Sequence, residues 1–357
     1  MLSRARLVNA AARPIHIAPG RIFNVSYIED TPALASPSRY LRNEHMPENR
    51  PSSVSAELIA VLVAVTAGTP RVLTIADGTS LPSGPLSPEH RSLQAGTRSW
   101  VERQTHHPLG YVEQLYTFAD NDRNAALGGF GRAISISYLA LTREQPNALD
   151  GGASWRNWYD YFPWEDRRQG AEAASPLPAA LRAWVQAGAS PVERRARKQR
   201  AAIAFGLEDR RWNEELVLQR YELLYEAGLV AEATRDGIPC HSPAPPRLGQ
   251  AMRQDHRRIL ATGIARLRAK ITYRPVVFEL MPPQFTLLDL QRSVEALAGQ
   301  LLHKQNFRRL VEQQELVEET GQMAEATGGR PAKLFRFRAD ILQERAYAGT
   351  KPPLART

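Results

Sequence analysis

The sequence contains one cysteine, Cys240, in 357 residues. It can therefore form neither an internal disulfide nor a zinc site built from several cysteines. A long apolar run is also missing, because the most apolar stretch, residues 58–65, is far shorter than the roughly 20 residues of a membrane-spanning helix. These absences argue against a disulfide-stapled secreted fold and a helical membrane protein, and they predict a cytoplasmic protein.

Acidic residues are absent from the first 28 positions, which contain arginine. This composition resembles a transit peptide. We favour a disordered tail, or a start codon placed too early, over a targeting segment. We predict that residues 1–53, rich in Pro, Ser, Asn and Arg, form an unstructured tail.

The overall charge is basic, at +9, with a sequence pI of about 9.9. This balance favours a polyanionic partner, although charge alone is weak support. The hydrophobic share of 43% and the charged share of 23% are ordinary for a globular protein. The length predicts two domains.

The N-terminal half shows the alternation and turn signals of a sheet domain. Residues 57–65 form a continuous apolar run that predicts a buried strand, and Gly68 and Pro70 predict a hairpin turn after it. The predicted strands are residues 57–65, 71–75, 111–118 and 132–141, with a helix at 88–103. Between the last strand and residue 165 lies an aromatic cluster, which predicts core packing or, alternatively, a surface that stacks an adenine. Its members are Trp155, Trp158, Tyr159, Tyr161, Phe162 and Trp164.

A helical region of different composition follows, from residue 171 to about 237. Residues 194–200 carry five basic residues in seven, which indicates a solvated helical face or an additional DNA contact. An amphipathic helix around Tyr221 is expected to pack on the domain or to build a dimer interface. After a linker at 239–246, residues 250–271 predict a long helix with an apolar stripe of Met252, Ile259, Ile264 and Leu267.

The C-terminal segment predicts a winged helix. Thr286 is a suitable N-cap, and Gly299 ends a helix whose apolar residues are Leu287, Leu290, Val294 and Leu297. A second helix, 303–314, is expected to bury Phe307, Leu310 and Val311. Strands at 316–319 and 333–338 flank a Gly-rich tip at 327–330.

The opposite face of the second helix is polar and basic, as a helix in the major groove of DNA requires. The predicted DNA-binding residues are Lys304, Gln305, Asn306, Arg308 and Arg309 on the helix, with Arg330 and Lys333 on the wing. The alternative is a winged helix that binds protein, in which the same residues form a solvated face.

A degenerate catalytic motif lies in the N-terminal sheet domain, before the winged helix. Nudix hydrolases use the pattern G-x5-E-x7-R-E-U-x-E-E-x-G-U, whose glutamates bind magnesium. Aligned from Gly84, only Arg98 and Glu102 fit this pattern. The mismatched positions are His90, Ser99, Arg103 and Thr105, and an arginine in place of a carboxylate repels the cation. We therefore predict no enzymatic activity, no catalytic residues and no bound metal.

Several longer stretches resemble the Nudix-related transcriptional regulators of NAD metabolism, in which an ADP-ribose pyrophosphatase-like fold is fused to a winged helix. They are residues 110–123, 131–141, 255–291, 303–322 and 328–337. The resemblance covers about half of the chain, 57–165 and 250–338, and the segment 170–248 departs from it as an insertion. It implies an α+β protein, a Nudix-like mixed-sheet α/β/α sandwich followed by a winged helix-turn-helix domain.

The same resemblance implies a repressor that acts as a homodimer on palindromic double-stranded operator DNA. The implied effector is ADP-ribose, NAD or ATP, with no required cofactor and no membrane association. Tyr116, Arg123 and Arg132 match positions that line or support the nucleotide cleft, and Arg98 and Glu102 complete the implied ligand set. Alternatively, Tyr116 is a structural residue of its strand, and Arg123 and Arg132 are surface arginines.

The expected domains are a sensor at 54–272, with its insertion at about 170–248, and a winged helix at 273–345, before a short tail at 346–357. His106 and His107 adjoin the degenerate motif, but they have no partners at ligand spacing and are expected to be surface residues. Two rival functions stay open: a Nudix hydrolase with an atypical metal site, and an adaptor that does not bind DNA.

Overall fold

A computed structural model describes residues 54–119, 132–145, 152–170, 176–243, 245–246, 248–273, 276–324 and 331–338. Arg123, Arg330, the wing tip at 327–330 and the two predicted tails lie outside these residues. Within the described residues, no helix is long and apolar enough to cross a membrane.

The first part of the described chain forms a mixed six-stranded sheet. The strands are β1 (Val54–Thr66), β2 (Thr69–Thr74), β3 (Ser83–Pro85), β4 (Tyr111–Phe118), β5 (Arg132–Leu141) and β6 (Ser154–Asn157). The central strand β1 pairs in parallel with β5 and antiparallel with β2 and β3, and the order along the sheet is β4-β5-β1-β2-β6. The sequence predicted β4 and β5 at these same bounds.

Helices cover both faces of this sheet because β1 is apolar on both sides. Ala60 and Leu62 pack with Val101 of helix α1 (Leu93–Thr105) on one face. Val61 and Val63 face the larger core, which contains Ile264 of the long helix α6 (His256–Tyr273). The sheet with its two helix layers is thus an α/β/α sandwich.

The long helix begins later than the sequence predicted. Gly249 and Gln254 have positive φ angles of 73° and 48°. Between them, the amide of Gln250 donates to Asp160 O at 2.8 Å and that of Arg253 to Thr79 O at 2.8 Å. The segment before His256 is therefore bonded to the sheet domain as a loop. Met252 is buried as predicted, although it lies outside the helix.

The segment predicted to be a helical insertion is helical where the structure describes it. It contains α2 (Leu177–Gln186), α3 (Pro191–Phe205), α4 (Val217–Glu226) and α5 (Ala231–Arg235). Tyr221 and Leu224 of α4 are buried in the larger core, so this helix packs on the domain. The aromatic cluster at 155–164 is buried as well, which confirms the core interpretation.

The C-terminal part is a winged helix, as predicted. Helices α7 (Leu287–Ala298) and α8 (Lys304–Gln313) precede the antiparallel hairpin of β7 (Val317–Met323) and β8 (Lys333–Phe337). Thr286 caps α7 in a capping box with Asp289, and Gly299 ends it at φ 74°. The predicted architecture, a mixed-sheet α/β/α sandwich followed by a winged helix, is confirmed.

Candidate nucleic-acid interface and nucleotide cleft

Helix α8 has two distinct faces. Phe307 and Val311, four residues apart, are buried against the rest of the winged helix. On the other side, the five residues predicted to read DNA are all exposed: Lys304, Gln305, Asn306, Arg308 and Arg309. Leu310 was wrongly predicted to be buried, because it is 52% exposed. It lies one position before Val311 and turns out of the narrow apolar stripe.

The cations of α8 differ from those of the wing in their pairing. Among the residues that the structure describes, no ion pair includes Lys304, Arg308 or Arg309. On the wing, Lys333 Nζ lies 2.8 Å from Glu319 Oε1 and Arg336 Nε lies 2.5 Å from Glu318 Oε1. Exposed pairs of this kind are weak, so a phosphate can replace the glutamate. The three cations of α8 are therefore available to contact phosphates or base edges.

The basic run in the insertion lies on α3 and is largely bonded to its own neighbours. Arg197 Nη2 lies 2.6 Å from Glu193, Lys198 Nζ lies 3.0 Å from Glu208, and Arg200 Nη2 lies 2.5 Å from Glu226. Arg194 donates to Gly188 O at 2.8 Å. Exposed pairs of this kind are weak, so the pairing leaves both interpretations open: a solvated helical face and an additional DNA contact.

The degenerate motif lies on α1, with Ser92 as its N-cap. Arg103 Nη2 lies 3.5 Å from Ser99 Oγ, and its guanidinium lies 4.7 Å from the centre of the Trp100 ring. Glu102 is exposed beside it. No group of three or more His, Cys, Asp or Glu side chains is placed to hold a metal ion in the part of the chain that the structure describes. This surface of α1 thus presents the Arg103 guanidinium beside the Glu102 carboxylate.

The other predicted ligand residues fall at two ends of the sheet. Arg98 donates to the backbone carbonyls of Leu109 and Gly110, the latter at 2.9 Å, just before β4 begins. Tyr116 is 55% exposed near the other end of β4, about 20 Å away along a strand. Arg132 begins β5, the strand that pairs with β4. Tyr116 pairs with Ser137, five residues along β5 from Arg132, so the backbone positions of Tyr116 and Arg132 are about 17 Å apart, and the Arg98 side chain lies elsewhere.

One of the two histidines after α1 was wrongly assigned to the surface. His106 is exposed and has the left-handed conformation of a C-cap, whereas His107 is only 1% exposed. Its ring contacts Trp155 edge-on at 5.6 Å. Burial lowers the pKa of His107 below its usual value, while a hydrogen bond with the backbone of Arg143 opposes this. His107 is a core residue of the sheet domain.

Comparison with known proteins bears on the domain that contains α7, α8 and the wing. Residues 277–337 match the family model described as the NrtR DNA-binding winged helix domain. The C-terminal segment is thus similar to the NrtR-type winged helix over these residues. This assignment agrees with the exposed basic face of α8.

One curated relative is the ADPR responsive transcriptional repressor NtrR of Acinetobacter baylyi, which is 43% identical over 83 residues. The alignment covers 23% of this chain and 33% of the relative, so the chain spans about a third of that protein's length. Two solved structures are also similar. Shewanella oneidensis NrtR complexed with a 27mer DNA is 20% identical, with a TM-score of 0.47 over 81% of this chain and 95% of that chain. A MutT/nudix family protein from Enterococcus faecalis is 16% identical, with a TM-score of 0.46 over 83% and 90%.

Proposed function

We propose that this protein is a DNA-binding transcriptional repressor whose NrtR-type winged helix contacts duplex DNA through α8. The observation that carries the proposal is the exposed face of Lys304, Arg308 and Arg309, which has no ion-pair partner among the described residues and belongs to a domain that matches a DNA-binding family. A helix of this kind fits the major groove, where arginine recognises guanine edges. Lys333, paired with Glu319, is proposed to contact the phosphate backbone.

The mixed-sheet domain is proposed to be the sensor. The ADPR responsive relative makes ADP-ribose the first effector to test, followed by NAD and ATP. Tyr116 and Arg132, on the neighbouring strands β4 and β5, are the proposed nucleotide contacts by resemblance. Arg123 is assigned to this contact by resemblance alone. The same holds for Glu102 and for Arg98, which the structure engages with backbone carbonyls.

The division into a sensor at 54–272 and a winged helix at 273–345 belongs to this proposal, as does a cytoplasmic homodimer. A symmetric dimer requires a palindromic operator with half-sites about one helical turn apart. The proposed targets are genes of NAD biosynthesis. Binding of the full-length chain to duplexes from such promoters, with and without ADP-ribose, tests the proposal.

We expect the protein not to hydrolyse nucleotides. Ser99 and Arg103 replace two metal-binding glutamates on α1, and Arg103 lies close to Ser99 and Trp100. A magnesium ion would meet a positive charge at this place. The measurement is AMP release from ADP-ribose and from NAD at millimolar magnesium. A turnover of about 1 per second or faster would show that the domain is an enzyme.

A further inference from the structure

Three charged side chains meet in the interior, away from both proposed binding surfaces. Glu165 is 1% exposed, and Arg220 and Arg268 are fully buried. Arg220 Nε lies 2.5 Å from Glu165 Oε1, and Arg268 Nη1 lies 2.5 Å from Glu165 Oε2. Burial lowers the pKa of Arg220, while the Glu165 carboxylate opposes this. One carboxylate therefore pairs with two buried guanidiniums. Removing any one of the three groups would leave an uncompensated charge in the interior.

The three residues come from three different parts of the chain. Glu165 lies in the short 3-10 helix Pro163–Glu165 after the sheet, Arg220 in α4 of the insertion, and Arg268 in α6. Arg220 Nη1 also donates to Ala204 O at 2.9 Å and to Asn213 O at 2.8 Å. The insertion is thus bonded into the centre of the molecule.

The C-terminal end of α7, in the winged helix, is fastened to this cluster. Arg268 Nε donates to Leu297 O at 2.8 Å, Tyr159 Oη donates to Ala296 O at 2.7 Å, and the Arg167 amide donates to Gly299 O at 2.7 Å. Carbonyl groups at a helix end lack partners within the helix and carry partial negative charge, so a buried guanidinium satisfies them well. The last turn of α7 is thus fixed relative to the sheet domain, and α8 follows it within a few residues.

We propose that Glu165 is the positioning residue that sets the placement of the winged helix, and that the helical insertion takes part in this coupling through Arg220. The inference rests on the proposed function, since it names the element through which a bound nucleotide alters DNA affinity. Coupling between two sites requires that a ligand favour one placement of the reading helix over another. Without the Glu165 carboxylate, two buried arginines repel each other and the hold on the last turn of α7 weakens.

The test compares Glu165→Gln with Glu226→Gln in the full-length chain. Glu226 provides a matched control. It also pairs with an arginine, Arg200, but on the surface of the insertion, and its substitution is again glutamate to glutamine. In Glu165→Gln, we expect amide hydrogen exchange in α7 to rise at least tenfold while β1 stays protected. Glu226→Gln is expected to match the parent in both elements. Equal exchange in α7 in the two variants overturns the proposal.

A second readout separates positioning from simple loss of stability. This readout is the DNA affinity measured without ADP-ribose divided by the affinity measured with it. If Glu165 couples the two sites, this ratio lies closer to one in Glu165→Gln than in the parent. An unchanged ratio overturns the proposal. If the parent binds no duplex, the proposed function fails, and hydrogen exchange still decides the positioning role. If Glu165→Gln does not fold, Arg220→Lys replaces it in the hydrogen-exchange and DNA-affinity measurements. This variant keeps the positive charge but loses the two-nitrogen contact with the Glu165 carboxylate.

Discussion

Replacing Gly299 with alanine is expected to lower the free energy of unfolding by about 2–5 kcal/mol. Gly299 has φ 74°, a left-handed conformation that costs an alanine about 1–2 kcal/mol. A Cβ at this position would lie 2.2 Å from the Glu165 carbonyl oxygen and 2.9 Å from both Arg268 Nη2 and Tyr159 Oη. Such overpacking costs about 1–3 kcal/mol more. Urea denaturation of the full-length protein, followed by circular dichroism, measures the loss.

Gly321→Ala is the control for this substitution. Gly321 has nearly the same backbone conformation, at φ 76°, but a Cβ there has no neighbour within 4 Å. It should therefore show only the conformational cost of about 1–2 kcal/mol. Equal losses in the two variants would mean that the surroundings of Gly299, including the Glu165 carbonyl, accept a Cβ at no extra cost in stability.

Truncating Arg308 or Arg309 to alanine is expected to weaken binding to the specific duplex by about 1–3 kcal/mol, about 5- to 150-fold, and to relax base preference. Both side chains are exposed on α8, opposite the buried Phe307 and Val311. Lys333→Ala is expected to weaken all duplexes alike and to reduce the salt slope by about one. Fluorescence anisotropy on specific and scrambled duplexes at two salt concentrations distinguishes these outcomes.

Arg200→Ala is the matched control for the arginine variants. Arg200 is an exposed arginine of α3, outside the winged helix, so its loss should leave DNA binding unchanged if α8 and the wing make the DNA contacts. If the α8 and wing variants all bind as the parent does, α8 does not read DNA, and the adaptor function is favoured instead.

The sequence predicted those parts of the fold that depend on local patterns. The N-cap at Thr286, the apolar spacing of α7 and the stop at Gly299 are signals within fifteen residues, and the structure has all three. The prediction of β5 follows in the same way from the alternating polarity of residues 134–137. Leu310 shows the limit of this approach, because its exposure depends on which neighbouring elements reach the far side of α8.

The buried cluster could not be found by spacing. Glu165 and Arg220 are 55 residues apart, and Glu165 and Arg268 are 103 apart. Charged residues are seldom fully buried unless they are paired, so each one taken alone predicts a surface position. The same reasoning wrongly placed His107 on the surface. A pairing signal between distant positions would have been needed to detect these contacts.

The proposed repressor binds DNA through its winged helix and responds to an adenine nucleotide through its sheet domain. The most direct measurement is titration of ADP-ribose, with NAD and ATP alongside, into the full-length protein bound to a labelled duplex from an NAD-biosynthetic promoter. We predict specific binding that weakens with salt and an affinity that changes at least fivefold when the effector is added. Equal affinity for specific and scrambled duplexes, or a DNA affinity that no nucleotide alters at millimolar concentration, would contradict the proposed function.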